Sequence, residues 1–402
     1  MQFIKTSLVF TLLFWSVCLI AQPVTRTDSS FYDVARTKIS GITHWYPDEA
    51  RGDTIKTGLA AFYFPNGDIK QRGYYNHGLA DSLWTSYYLF GQVKSRVWYV
   101  QGLKQGSFEQ YFEGGGLKYA GTYLNDSLNG VIRLYYPNGN IQEERSYSAN
   151  RLNGPTMGYD IDGKLSFRMQ YRDSLPDGPF EKYYPSGNIK EKGSRQGQQF
   201  YGDYMAYYDN GQPEMRYAYQ NFSIEGPYKV FYDDGSLKIA CVYRQGRING
   251  PYTKYFRSGQ AEQKGNYADG NLSGTWDYYF ENGQLYIEGN YVNNLPEGMW
   301  KVFHDNGEQK QLGKYKAGKA EGPWQFFHNN GKVRSQGNFE DNKQQGHWVH
   351  FHPNGIVQLD LYYTLGKLEG ILTAYDTTGK ILEQSEFIDN QLVRQIKGPS
   401  AR

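Results

Sequence analysis

The sequence predicts an all-β protein, an elongated array of antiparallel β-hairpin repeats with a 24-residue period and about fourteen units. Three observations predict it. Glycine and tyrosine, 47 and 38 of 402 residues, are together more than one residue in five. Tyrosine suits the pleated, half-buried surface of a sheet and glycine suits turns. Residues 274–297 (GTWDYYFENGQLYIEGNYVNNLPE) align without a gap on 322–345 (GPWQFFHNNGKVRSQGNFEDNKQQ), and steps of 24 from Gly58 keep this register to Val393.

The first 21 residues differ from the rest. Lys5 supplies a positive start, residues 8–20 (LVFTLLFWSVCLI) an apolar core, and Ala21-Gln22-Pro23 a cleavage region. This predicts a secretory signal peptide. The run is too short for a comfortable membrane span. Cys18 raises a lipoprotein alternative, against which Val17 stands where such sites want Gly or Ala. No later apolar stretch reaches spanning length, so the expected mature protein is exported without a transmembrane span: periplasmic, outer-membrane-associated or secreted. Residues 22–57 contain a partial echo, Trp45-Tyr46-Pro47-Asp48, out of register with the array, and read as an N-terminal cap.

Residues 58–393 are the repeats. Counting from the first residue of each, position 0 is Gly in thirteen of fourteen, with Ser82 the exception. Position 5 is Tyr or Phe and position 9 is Gly in all fourteen, and position 17 is Tyr or Phe in all but Arg195. One strand is expected over positions 1–6. A turn follows, often Pro-Asn-Gly as in Pro65-Asn66-Gly67, where proline presets φ and glycine takes the positive φ. A second strand is expected over roughly positions 10–18, then a second turn, often with Gly or Asn at position 20. Burying three or four aromatics gives a repeat roughly 5–10 kcal/mol. Ordering its backbone costs about 1–2 kcal/mol per residue, so stability must come from the array. The last repeat has lost aromatics, with Leu372 and Asp376 at positions 2 and 6, and residues 394–402 read as a tail.

The composition also excludes function classes. Lys and Arg number 43 against 41 Asp and Glu, with no basic run, which argues against nucleic acid. Cys241 is the sole cysteine after cleavage, so the fold needs no disulfide and a nucleophilic role lacks a partner. Glu143-Glu144 and Asp233-Asp234 show no sign of a pocket, and Glu113-Gly114-Gly115-Gly116 is a hairpin turn without a Walker lysine. Neither GxSxG nor HExxH occurs. The expectation is a protein without catalytic residues, cofactor or metal.

The histidines of GHWVHFHPNG (346–355) raise a metal question. His304, His328 and His352 all fall at position 6, where other repeats carry Tyr88, Phe112 and Tyr184. Equivalent positions in neighbouring hairpins lie about 9–10 Å apart, too far to share one ion. His350 at position 4 faces the same side as His352 if the strand is regular. His304, His328, His350 and His352 therefore remain candidates for a partner contact rather than for a metal. Departures from the columns at Asp160, Arg195, Pro213 and Tyr217 mark a second region to inspect.

The pattern GxWxxYYxNGxLxxxGxYxxGxxxG resembles the MORN-repeat variant family and is similar to the repeats of bacterial YwqK-type antitoxins. The resemblance covers residues 58–393. It implies curved antiparallel hairpin arrays with protein or lipid contacts, and it brings no catalytic residue. The expected function is a non-enzymatic exported scaffold for protein–protein interaction. The alternatives are a toxin-neutralising antitoxin or immunity-type protein, and an envelope carbohydrate- or lipid-binding module.

Overall fold

The computed structural model describes residues 25–48, 50 and 52–398; the expected signal peptide, with Cys18, lies outside them. Among the described residues there are thirty-two β-strands and no helix. Two compact bodies are distinguished among them, one running to Leu152 together with Ile161–Gly163, the other Asn153–Asp160 together with the described residues from Lys164 onward. Within each, successive strands pair antiparallel, from Arg26–Phe31 to Ile141–Ser148 in the first and on to Gln391–Lys397 in the second.

The repeat at Gly274 shows the unit. Its first strand, Asn271–Tyr279, pairs with its second, Leu285–Val292. Between them the Gly283 amide donates to the Phe280 carbonyl and the Phe280 amide to the Gln284 carbonyl, each at 2.9 Å. This is a type I turn closed by a glycine bulge. The glycine at position 9 has φ between 78° and 96° in every repeat, as the turn chemistry predicted. The second turn, Asn293-Asn294, holds φ of 49° and 68°. Two consecutive positive values define a type I′ turn, whose twist matches that of its strands.

One expectation is corrected. The first strand begins three residues before position 0 and stops at position 5, so position 6 lies in the turn. Position 0 is therefore not an opening turn but a mid-strand residue, with φ from 60° to 118° throughout, Ser82 included. It belongs to a β-bulge with two extra residues. Lys264 pairs with Asp277 and Asn266 with Ser273, leaving Gly265 alone opposite Gly274, Thr275 and Trp276. Such a bulge re-aims a side chain and adds local twist.

The re-aimed side chain is position 2, which forms the core. Trp276 is 1% exposed, Phe180 and Trp348 are 2% and Ile132 is 0%. Room for the indole comes from the glycine at position 15 of the preceding hairpin. A Cβ on Gly73, Gly265, Gly289, Gly313 or Gly337 would overlap the ring of Trp84, Trp276, Trp300, Trp324 or Trp348 respectively. Where position 15 carries a side chain, the next position 2 is never tryptophan: Val97 precedes Phe108, Cys241 precedes Tyr252 and Leu361 precedes Leu372. An indole is admitted only where no side chain already fills its place, as close packing demands. In the second body the indoles alternate with position-17 rings in an unbroken series from Tyr267 to Tyr363. Centroids are 5.1–6.4 Å apart and planes 76–89° apart. Edge-to-face contact suits the ring quadrupole.

Residues 26–48 form a further hairpin of the same kind with longer turns. Arg26 pairs with Trp45 and Phe31 with Ile39, which places Phe31 at position 5 and Trp45 at position 17. The Tyr32 hydroxyl donates to the Tyr63 carbonyl.

Candidate functional site

The hairpins carry their chemistry in ladders, and the predicted site residues fall on one of them. At position 6, Tyr88, Tyr184, Tyr208 and Tyr232 each donate a hydroxyl hydrogen bond of 2.8–2.9 Å to the carbonyl at position 5 of the next repeat. His304, His328 and His352 make the same connection through Nε2, to Phe327, Phe351 and Tyr375 at 3.2, 2.9 and 3.0 Å. Since a carbonyl only accepts, each Nε2 carries the proton. These histidines thus stitch one hairpin to the next.

His350 sits apart from His352. It lies in the strand Lys343–Phe351, between Ser335 and Leu359, whereas His352 lies in the turn beyond it. The expected common face therefore does not form, because the strand ends at Phe351. Burial, with Arg334 nearby, holds the pKa of His350 below its ordinary value. His347 accompanies neither. Its ring stacks on Tyr362 with centroids 4.8 Å apart, and Nε2 meets the Asp360 carboxylate at 2.7 Å. Among the described residues no three His, Cys, Asp or Glu side chains are arranged to hold a metal ion.

The departures at Arg195 and Tyr217 are absorbed by packing. Tyr217, where a glycine would otherwise admit tryptophan, stacks between Tyr204 and Tyr228 at 4.9 and 5.0 Å. The guanidinium of Arg195 lies 4.2 Å from the centroid of Phe200. Asp160 closes its own turn, accepting from the Lys164 amide, and Pro213 begins the second strand of its repeat. Cys241 is buried, and burial pushes its thiol up to about 11, far from a reactive thiolate. Asp233 and Asp234 are paired to Arg257 at 2.6 and 3.3 Å, and Glu143 and Glu144 to Arg145 and Arg133. Gly115 closes the hairpin turn of its repeat, as the sequence suggested.

The two faces of the hairpins divide the work. Positions 2, 4, 13, 15 and 17 share the packed face, while positions 1, 3, 14 and 16 share the other. That second face is mostly a polar ladder, with cross-strand pairs such as Lys301–Glu288 and Gln325–Gln336. Cations at position 14 also lie over the next position-5 ring, as Arg72 does over Tyr87 and Lys264 over Tyr279.

Position 16 is where the sequence reading missed a surface. It holds a small or polar residue in most repeats but an aromatic ring at Tyr74, Trp98 and Tyr362. All three are exposed, by 40%, 45% and 49%. The signal lay in a column that is otherwise free of aromatics, rather than in the columns that are full of them. Tyr74 and Trp98 belong to neighbouring hairpins of the first body and line an open groove of about 660 Å³ with Leu59 and Leu83. Ser82, the one break at position 0, lines it too.

Comparison with known families finds the MORN repeat variant at residues 56–77, 128–149, 176–196, 224–245, 272–293, 320–341 and 368–389. Every match starts two residues before a position 0 and so covers a single repeat. Curated proteins offer no match. Among solved structures, similar chains occur in TcdB2-TccC3, in TcdB2-TccC3-Cdc42 and in the Photorhabdus luminescens Tc holotoxin pore. Identities are 12%, 11% and 12% over 90% of this chain, with TM-scores of 0.16, 0.15 and 0.15. The chain spans only 23%, 23% and 20% of those chains. A likeness of that size assigns neither fold nor role.

Proposed function

The chain belongs to the MORN repeat variant family, and from that premise we propose that it is a non-enzymatic repeat scaffold, exported from the cytosol, that holds a protein partner. One observation carries the reading. The residues that recur in every repeat are occupied in turns, in the packed face and in carbonyl ladders, while the second face varies freely from hairpin to hairpin. A surface relieved of structural duty is free to be shaped for a partner. Export rests on residues 1–21, whose pattern is that of a signal peptide.

The test is capture from an envelope extract by the immobilised mature chain, with mass spectrometry of what is retained. A saturable protein, competed by free chain and lost from a Met299→Asp/Ile371→Asp variant of the second face, supports the reading. Both side chains are about half exposed, so the variant should fold. Absence of any saturable protein partner would sink it. The resemblance to YwqK-type repeats favours one finer version, in which the partner is a toxin that the chain neutralises. A toxin encoded beside this gene and inhibited by the chain would support that version.

A further inference from the structure

Trp98 is unlike the tryptophans of the packed face. Trp84, Trp276, Trp300 and Trp348 donate their indole N–H to backbone carbonyls and contact other rings. Trp98 does neither among the described residues and stands 45% exposed on the second face. Tyr74 stands beside it at the same position of the preceding hairpin. Exposing two large rings has a cost of roughly 1.5–3 kcal/mol each in forgone burial. Every other repeat but one avoids an aromatic there.

From this geometry we propose that the surface bearing Tyr74 and Trp98 binds an extended oligosaccharide, one sugar stacked on each ring. The rings lie two strands apart, about 9–10 Å, roughly the span from one pyranose to the next but one. The intervening strand, Leu79–Tyr87, runs between them. Tyr74 pairs with Asp81 across one side of it and Leu83 pairs with Trp98 across the other. The strand presents the Asp81 carboxylate, which accepts the Ser82 hydroxyl at 3.0 Å and the Gln101 amide at 3.5 Å, and then Ser82, which is exposed, and Leu83, both of which line the groove. The order across the surface is therefore ring, carboxylate with hydroxyl, a leucine, ring. A pyranose offers apolar C–H faces to the rings, and the hydroxyls of the middle sugar meet Asp81 and Ser82. An acyl chain or an apolar helix would shut that carboxylate and its hydroxyl partner away from water, at a cost. A phosphate-rich ligand would meet a carboxylate where it needs cations. The positive φ of Ser82 follows too, since a glycine at this one position would remove the hydroxyl.

Tyr362 supplies the internal control. Its neighbours at position 16 are Asn338 and Glu386, and its ring is stacked on His347, so it forms no platform. The experiment is calorimetric titration of the full chain with cellohexaose, with chitohexaose and with phosphatidylcholine vesicles. The expected result is saturable binding of at least one hexasaccharide, weakened at least tenfold by Trp98→Ala and by Tyr74→Ala and unchanged by Tyr362→Ala. All three sites are exposed, and equal melting temperatures establish that the variants fold. Binding of neither hexasaccharide, or binding indifferent to Trp98→Ala, overturns the proposal. So does vesicle binding that Trp98→Ala abolishes while no saccharide binds. The outcome is separate from that of protein capture, which draws on the second body's side chains.

Discussion

A single β-carbon decides whether a repeat can hold tryptophan. In Gly313→Ala the new methyl would overlap the Trp324 ring, and overpacking of this kind typically costs about 1–3 kcal/mol. The backbone at Gly313 is not in the left-handed region, so the loss is purely steric. Adding Trp324→Phe should recover part of it, reproducing the Val97/Phe108 pair found elsewhere in the chain. A double-mutant cycle by urea denaturation measures this, and strict additivity would contradict it. At position 6 the hydrogen bond is what matters. His328→Phe should cost about 1 kcal/mol by leaving the Phe351 carbonyl without its donor, while His328→Tyr should be near neutral. His350 gives the chain an acid sensitivity. Its folded-state pKa lies below the ordinary 6.5, so the unfolded chain binds the proton more readily. Its stabilising contribution is complete above pH about 6.5 and is lost as pH falls through the folded value. The drop in melting temperature between pH 7.5 and 5.5 should shrink in His350→Leu; an identical drop would remove His350 as a cause.

Each turn of the hairpin is a joint as well as a reversal. The position-8 asparagine accepts the amide two residues on and donates across to the next turn. Asn330, for example, accepts from Lys332 and donates to the Pro353 carbonyl at 2.9 Å. Asn330→Ala should cost about 1–2 kcal/mol, measured in the same urea experiment, because it removes both bonds. The opposite turns are joined differently. Glu297 accepts the Ala317 amide at 2.7 Å, and Asn294 accepts the Leu272 amide at 2.7 Å. Much of this was legible in the sequence. The Asn-Gly pairs announced the turn, and position 9 announced the positive φ. The bulge was not legible. A glycine at position 0 reads equally as a strand start, and only the pairing of Lys264 and Asn266 with residues four apart across the strand reveals the extra residues. For the same reason the position-2 core was overlooked, since its identity varies from Trp to Ile to Thr while the aromatic columns at 5 and 17 draw the eye. The candidate surface was illegible for the reverse cause. Tyr74 and Trp98 are conspicuous only once position 16 is known to face away from the packed rings.

At the scale of the whole molecule, stability is shared among neighbours rather than held by one core. Excision of residues 274–297 should therefore leave a folded protein with a smaller denaturant m-value. The junction brings Gly265 before Trp300, a pairing of the kind already present. Excision of 274–285 should fail, because it removes a first strand and sets like against like. Circular dichroism and denaturation curves of the two deletions distinguish the cases. The same arithmetic governs the ends. The described array opens on Arg26–Phe31 and closes on Gln391–Lys397, and both are first strands of their hairpins. A first strand's natural neighbour is a second strand, with its lone residue set against the bulge. Laid end to end, two copies would set a first strand against a first strand, a pairing that occurs nowhere among the described strands. The described array is in this sense a sentence that begins and ends on the same part of speech, and a second copy joined to it would have to break its grammar.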